Sequence, residues 1–78
     1  MYNKEKEQTY YLLSLHDLYE GIDIEALEAA LEDMEIQEEY EVCGGISKAI
    51  SFAKNNTREQ LIQEYDNTLD RLAEEASL

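Results

Sequence analysis

Few side chains in this sequence are of a type that performs chemistry. Cys43 is the only cysteine and His16 the only histidine. A cysteine nucleophile needs a base to draw off its proton, and His16 is the sole candidate. The competing reading of Cys43 is a small buried residue at a helix end, in keeping with the burial preference of free thiols, and we favour it. His16 and Asp17 are adjacent in sequence, but neighbours on a helix do not face each other, so adjacency makes no acid–base pair of them. Gly44-Gly45 lacks the spacing of either glycine-rich phosphate loop. The stretch Asp17 to Glu28 is acidic enough to test as a calcium loop, but Gly21 falls at the fifth place where that loop needs glycine at the sixth. One cysteine and one histidine give no zinc set and no internal disulfide. Neither a catalytic constellation nor a cofactor or metal site is expected.

Charge is the dominant feature. Nineteen acids face six bases, for a formal net charge of −13. No Lys or Arg occurs between Lys6 and Lys48. Eleven acids fall in the twenty-five residues from Asp17 to Glu41. Like charges three or four residues apart cost a helix roughly 0.2–0.5 kcal/mol per pair, so uneven placement asks for a reason. The acids Glu25, Glu28, Glu32, Asp33, Glu35, Glu38, Glu39 and Glu41, with Tyr40 among them, form the candidate partner-binding surface. Nine acids between Asp23 and Glu41 give one charge per ~3 Å if the stretch is one helix. A single DNA strand carries one phosphate per ~3.4 Å of axis. A tyrosine adds a flat face with a polar tip, a common interface anchor. The opposing reading is a solvated face on an acidic protein.

A chain so negative is expected to be repelled by nucleic acid and by anionic membranes, and to bind a basic protein surface, including one that ordinarily holds nucleic acid. The bases Lys4, Lys6, Lys48, Lys54, Arg58 and Arg71 are scattered, and the Lys48, Lys54 and Arg58 trio is expected to pair with the chain's own acids. Two functions follow. The first is a non-catalytic inhibitor that presents carboxylates where phosphates belong, comparable in size and charge to anti-restriction and anti-CRISPR proteins and DNA-repair inhibitors of phages and mobile elements. The second is a small helical regulatory or adaptor module, such as an antitoxin, an immunity protein or a dimerising unit, with a basic partner. A cytoplasmic setting is expected from the lone thiol and from an N-terminus with no apolar run behind it.

The elements that must position these residues are helical. Seventy-eight residues make at most one domain, and one this small buries only roughly 60–65% of the surface of its unfolded chain. No run approaches the roughly 20 apolar residues of a membrane span. There is no proline, and three glycines, Gly21, Gly44 and Gly45, punctuate the chain. The expected architecture is an all-α compact antiparallel bundle of four helices. The first spans about 5–20, with Tyr11, Leu12, Leu15, Leu18 and Tyr19 at helical spacing and Gly21 ending it. The second begins at Ile24 with Asp23 as N-cap, buries Leu27, Ala30, Leu31 and Met34, and reaches about residue 40. Ile36, Tyr40 and Cys43 are offset around it: either the helix buries two faces, or it ends near Glu35 and a short extended piece follows near 38–43. Gly44-Gly45 is expected to turn the chain into a third helix over 46–54, which presents Ile46, Ala49, Ile50 and Ala53. Thr57-Arg58-Glu59-Gln60 matches the capping box and opens a fourth helix over 58–75, carrying Leu61, Ile62, Tyr65, Leu69, Leu72, Ala73 and Ala76. That stripe serves as the core or as half of a homodimer. The first few and last two residues are expected to fray.

Overall fold

A computed structural model describes residues 1–76. It holds four helices: α1 (Lys4–Tyr19), α2 (Ile24–Ile36), α3 (Tyr40–Asn55) and α4 (Arg58–Ala76). No strand occurs among the described residues. α1 packs on both α3 and α4, while α2 lies against α3. The helices therefore pack in the order α2, α3, α1, α4. The two central helices supply most of the buried core: Tyr11, Leu15 and Leu18 from α1, and Val42, Ile46, Ala49 and Ile50 from α3. Leu27 and Leu61 close it from the outer helices.

Sequence cues for the helix ends mostly hold. Asn3 caps α1 by accepting from the Lys6 amide at 3.1 Å. Tyr2 and Asn3, expected to fray, are held: the Tyr2 hydroxyl donates to Glu7 and the Asn3 amide donates to Glu41 at 3.2 Å. Gly21 ends α1 at φ 98°. The Gly21 amide donates to Leu18 O and the Ile22 amide to Asp17 O, which together form a Schellman motif. The capping box at α4 is closed on both sides. The Gln60 amide donates to Thr57 Oγ1 at 3.2 Å, and the Thr57 amide to Gln60 Oε1 at 2.8 Å. Asp23 occupies the N-cap of α2, but its side chain makes no capping bond. Its carboxylate acts on that helix end through charge alone. The expectation for Ser77 and Leu78 lies outside the described residues.

The region between α2 and α3 departs from expectation. α2 stops at Ile36, and α3 begins at Tyr40, six residues earlier than expected. Neither a long second helix nor an extended piece at 38–43 forms. A second Schellman motif ends α2: the Glu38 amide donates to Glu35 O and the Glu39 amide to Met34 O. Its left-handed residue is Glu38, at φ 59°. Glycine normally marks that position, because any Cβ there costs an L-residue about 1–2 kcal/mol. Without that mark, the sequence favours the longer helix, although the alternative end near Glu35 falls within one residue of the observed one.

Gly44 and Gly45 are not a turn. They sit inside α3, where Gly45 is buried against the backbone of α1. A Cβ on Gly45 would stand 2.6 Å from Glu7 O, 2.6 Å from Tyr11 N and 2.8 Å from Tyr10 C. The glycine is present because two helix backbones meet there. Gly44 differs: a Cβ would touch the ends of the Tyr2 and Glu7 side chains, which can swing aside. Gly45→Ala is therefore expected to lower unfolding free energy in urea by about 2 kcal/mol net, as overpacking outweighs the gain in helix propensity. Gly44→Ala is expected to stay within about 0.5 kcal/mol of the parent.

Candidate partner-binding surface

The acids of α2 owe their placement to its apolar stripe. Ile24, Leu27, Ala30, Leu31 and Met34 turn toward α3, which fixes the rotation of the helix. Glu25, Glu28, Glu32 and Glu35, spaced by three, four and three residues, then form one row along the exposed flank. Asp33 is exposed on the other side of the outer surface. The row advances roughly 4.5–6 Å per charge over about 15 Å, sparser than the one charge per ~3 Å of a single continuous helix. Breaking the chain at residues 37–39 separates this row from Tyr40 and Glu41 on α3.

The nine predicted residues divide by what holds them. Glu28 Oε2 accepts from Lys54 Nζ at 3.3 Å. Glu39, half-buried, accepts from Lys6 Nζ at 3.3 Å. Glu41 Oε2 accepts from the Asn3 amide, and its carboxyl is held below the usual range by its own backbone amide first and by that of Asn3 second. Glu39 and Glu41 thus tie the start of α1 to the start of α3. Glu25, Glu32, Asp33, Glu35 and Glu38 are exposed, and among the described residues no Lys, Arg or His stands within 4.0 Å of them. Tyr40 is exposed, so its ring adds to the surface.

Several basic side chains are already engaged elsewhere. Lys48 Nζ donates to Glu7 Oε1 at 2.5 Å. Arg58 reaches back to the end of α1, donating to Leu18 O at 3.3 Å and Tyr19 O at 2.7 Å. It gives Tyr19 O a partner and Leu18 O a second one beside the Gly21 amide, and the cation opposes the negative end of the dipole. The expected trio of cations divides accordingly: Lys48 and Lys54 pair with acids, while Arg58 binds backbone.

The residues considered for catalysis do not meet. The Cys43 thiol lies on α3 with Leu31 O at 4.0 Å. Burial first, and then the nearby Glu35 carboxylate, push its pKa up. That favours the unreactive thiol over the thiolate. His16 keeps other company, with Nε2 3.4 Å from Glu20 Oε1 and its ring against Tyr65. Tyr65 also stacks on Tyr19 at 5.3 Å. Among the described residues no three His, Cys, Asp or Glu side chains are placed to hold a metal ion, and no helix is long and apolar enough to cross a membrane. A cleft of about 580 Å³ opens between the α1–α2 and α3–α4 turns, over Leu18, Ile24, Ala53 and Leu61.

Sequence reasoning missed Ile36. Its spacing groups it with Tyr40 and Cys43 as a second apolar face of a longer helix, yet it is 77% exposed at the end of α2. The signal lay in its neighbours, since Glu32 and Asp33, one turn earlier, place it on an acidic face. Compared with protein-family models, curated proteins and solved structures, the chain finds no match.

The Glu7 cluster carries a pH prediction. Hydrogen bonds from Lys48, then Tyr2, lower its carboxyl pKa, although burial opposes them. A depressed folded pKa contributes stability that is present above the unfolded value and lost as pH falls through the folded one. The stability gap between the parent and Glu7→Gln, measured by urea denaturation, should be largest near neutrality. It should close as pH drops below the ordinary Glu range.

Proposed function

We propose that this chain is a non-catalytic inhibitor that lays the acidic face of α2 and its following turn on a basic protein surface of the kind that holds nucleic acid. One observation carries the reading. Among the described residues, Glu25, Glu32, Asp33, Glu35 and Glu38 stand exposed with no cation within 4.0 Å, whereas Glu28, Glu39 and Glu7 each have one. The chain has cations to share, and among the described residues only Lys54 reaches the row, at Glu28. Carboxylates left in this way attract lysines and arginines and speed encounter with a basic partner. A cytoplasmic setting, where nucleic-acid-binding proteins are abundant, suits the reading.

The row is short for a whole groove of DNA. Four carboxylates over about 15 Å fit a cluster of phosphate-binding side chains. Competition for such a cluster is sufficient for inhibition. A second reading, a dimerising or adaptor module, draws on the exposed Leu13 of α1 and Leu69 of α4. It expects binding to rest on apolar area and to survive salt.

A charge-reversal variant separates the two readings. Reversing Glu39 would break its pair with Lys6, so the informative variant is Glu32→Lys with Asp33→Lys and Glu35→Lys. Capture from a cytoplasmic lysate at about 50 and 500 mM salt should recover a nucleic-acid-binding protein at low salt only. The triple variant should lose it, and nucleic acid should compete it off. A partner retained by the variant at both salt concentrations would transfer the function to the apolar faces.

A further inference from the structure

The turn between α2 and α3 breaks two rules at once. Ile36 is 77% exposed and Tyr40 is 59% exposed, so two large apolar side chains flank the three-residue turn between α2 and α3. Between them Glu38 holds the left-handed position of a Schellman motif. The same motif at the end of α1 uses Gly21 there. The chain thus has glycine at one exposed left-handed position and a carboxylate at the other, beside Ile36 and Tyr40. A non-glycine residue kept in strained backbone, on an exposed turn, points to a use for its side chain. Around this turn stand Glu32 and Asp33, one helical turn before Ile36, and Glu35. With Glu38 these make four exposed acids without a cation among the described residues. Exposed apolar anchors with charged neighbours along the chain are the composition of a binding hot spot.

We infer that Ile36, Glu38 and Tyr40 form the anchor of the partner surface and receive a basic amphipathic segment of a protein, with its apolar side chains on Ile36 and Tyr40 and its lysines or arginines on Glu32, Asp33, Glu35 and Glu38. This rests on the reading of α2 as a partner-binding face and deepens it. Charge alone would place a cationic partner anywhere along the row from Glu25 to Glu35. The exposed apolar pair selects one end of that row and demands a partner that is both basic and apolar. Nucleic acid itself is excluded as occupant by the sign of the rim.

The test uses the full chain and two synthetic helical peptides of equal charge. One carries lysines with leucines at i, i+3 and i+4 spacing; the other has serine in place of each leucine. Titration of each into labelled protein is followed by amide chemical shifts at about 150 and 500 mM salt. The Lys/Leu peptide should shift residues 36–40, bind about tenfold more weakly to Ile36→Ser/Tyr40→Ser, and lose less affinity at high salt than the Lys/Ser peptide. The Lys/Ser peptide should be indifferent to that variant, and should be lost at high salt and with Glu32→Lys/Asp33→Lys/Glu35→Lys. Glu38→Gly should keep or raise the thermal midpoint while weakening the Lys/Leu peptide. Both apolar side chains are exposed, so their variant should retain the parent's thermal midpoint, which confirms that it folds. If the two peptides bind alike and ignore the Ile36→Ser/Tyr40→Ser variant, the anchor is overturned while the acidic face stands. Shifts centred on Leu13 and Leu69 would overturn it in favour of another surface. Binding of neither peptide would remove the acidic face and the anchor together.

Discussion

The approach of α3 to α1 at Gly45 sets the geometry on which the other helices depend. The absence of one Cβ lets α3 reach the α1 backbone at Glu7, Tyr10 and Tyr11. This contact lets Leu15 and Ala49 become fully buried. α4 then closes on α1 and α2 on α3. A chain of 78 residues has little apolar surface to bury, so a close helix pair at its centre matters more here than in a larger domain. Ion pairs fasten its edges: Lys48 with Glu7 and Lys6 with Glu39 both bind α1 to α3 or to the turn before it. Exposed pairs of this kind contribute little each, so they fix position more than they hold the fold.

Those pairs also decide which acids are left over. Lys6, Lys48 and Lys54 face acids, and Arg58 binds the end of α1. α2 lies at the far side of the bundle from α4, and Lys54 is the one cation that reaches it among the described residues. Its exposed flank carries Glu25/Glu28, Glu28/Glu32 and Glu32/Glu35 as like-charged neighbours, each costing roughly 0.2–0.5 kcal/mol. A marginal domain that carries this repulsion on one helix, and a left-handed Glu38 at its end, gives up stability at the place proposed for binding. Stability ceded at a site of recognition is a common trade.

The legible parts of the sequence were those where one residue type has one cause. Gly21 marked the end of α1, and Thr57 with Gln60 marked the start of α4. The stripes of α1 and α4 placed Tyr11, Leu15, Leu18 and Leu61 in the core. Glycine at 44 and 45 misled because it has two uses, turning a chain and admitting a neighbouring backbone, and only the tertiary contact separates them. The end of α2 was obscured for the opposite reason, because Glu38 does a glycine's work without looking like one. That error merged two helices and made one acidic face out of a row and a turn. The acidity itself was plain, but which carboxylates are engaged by Lys6, Lys54 and Asn3 depends on the packing of α1 and α3.

The central claim is that the row on α2 is held against the chain's own stability. The unfolding free energy of Glu25→Gln/Glu32→Gln/Glu35→Gln in low salt, set against the parent, tests this directly. The variant removes charge while keeping side-chain size and helix propensity. The account predicts a gain on the order of 1 kcal/mol, shrinking as salt is raised. An unchanged or lower stability would show that the row costs the fold nothing, and would leave its carboxylates as ordinary solvated side chains.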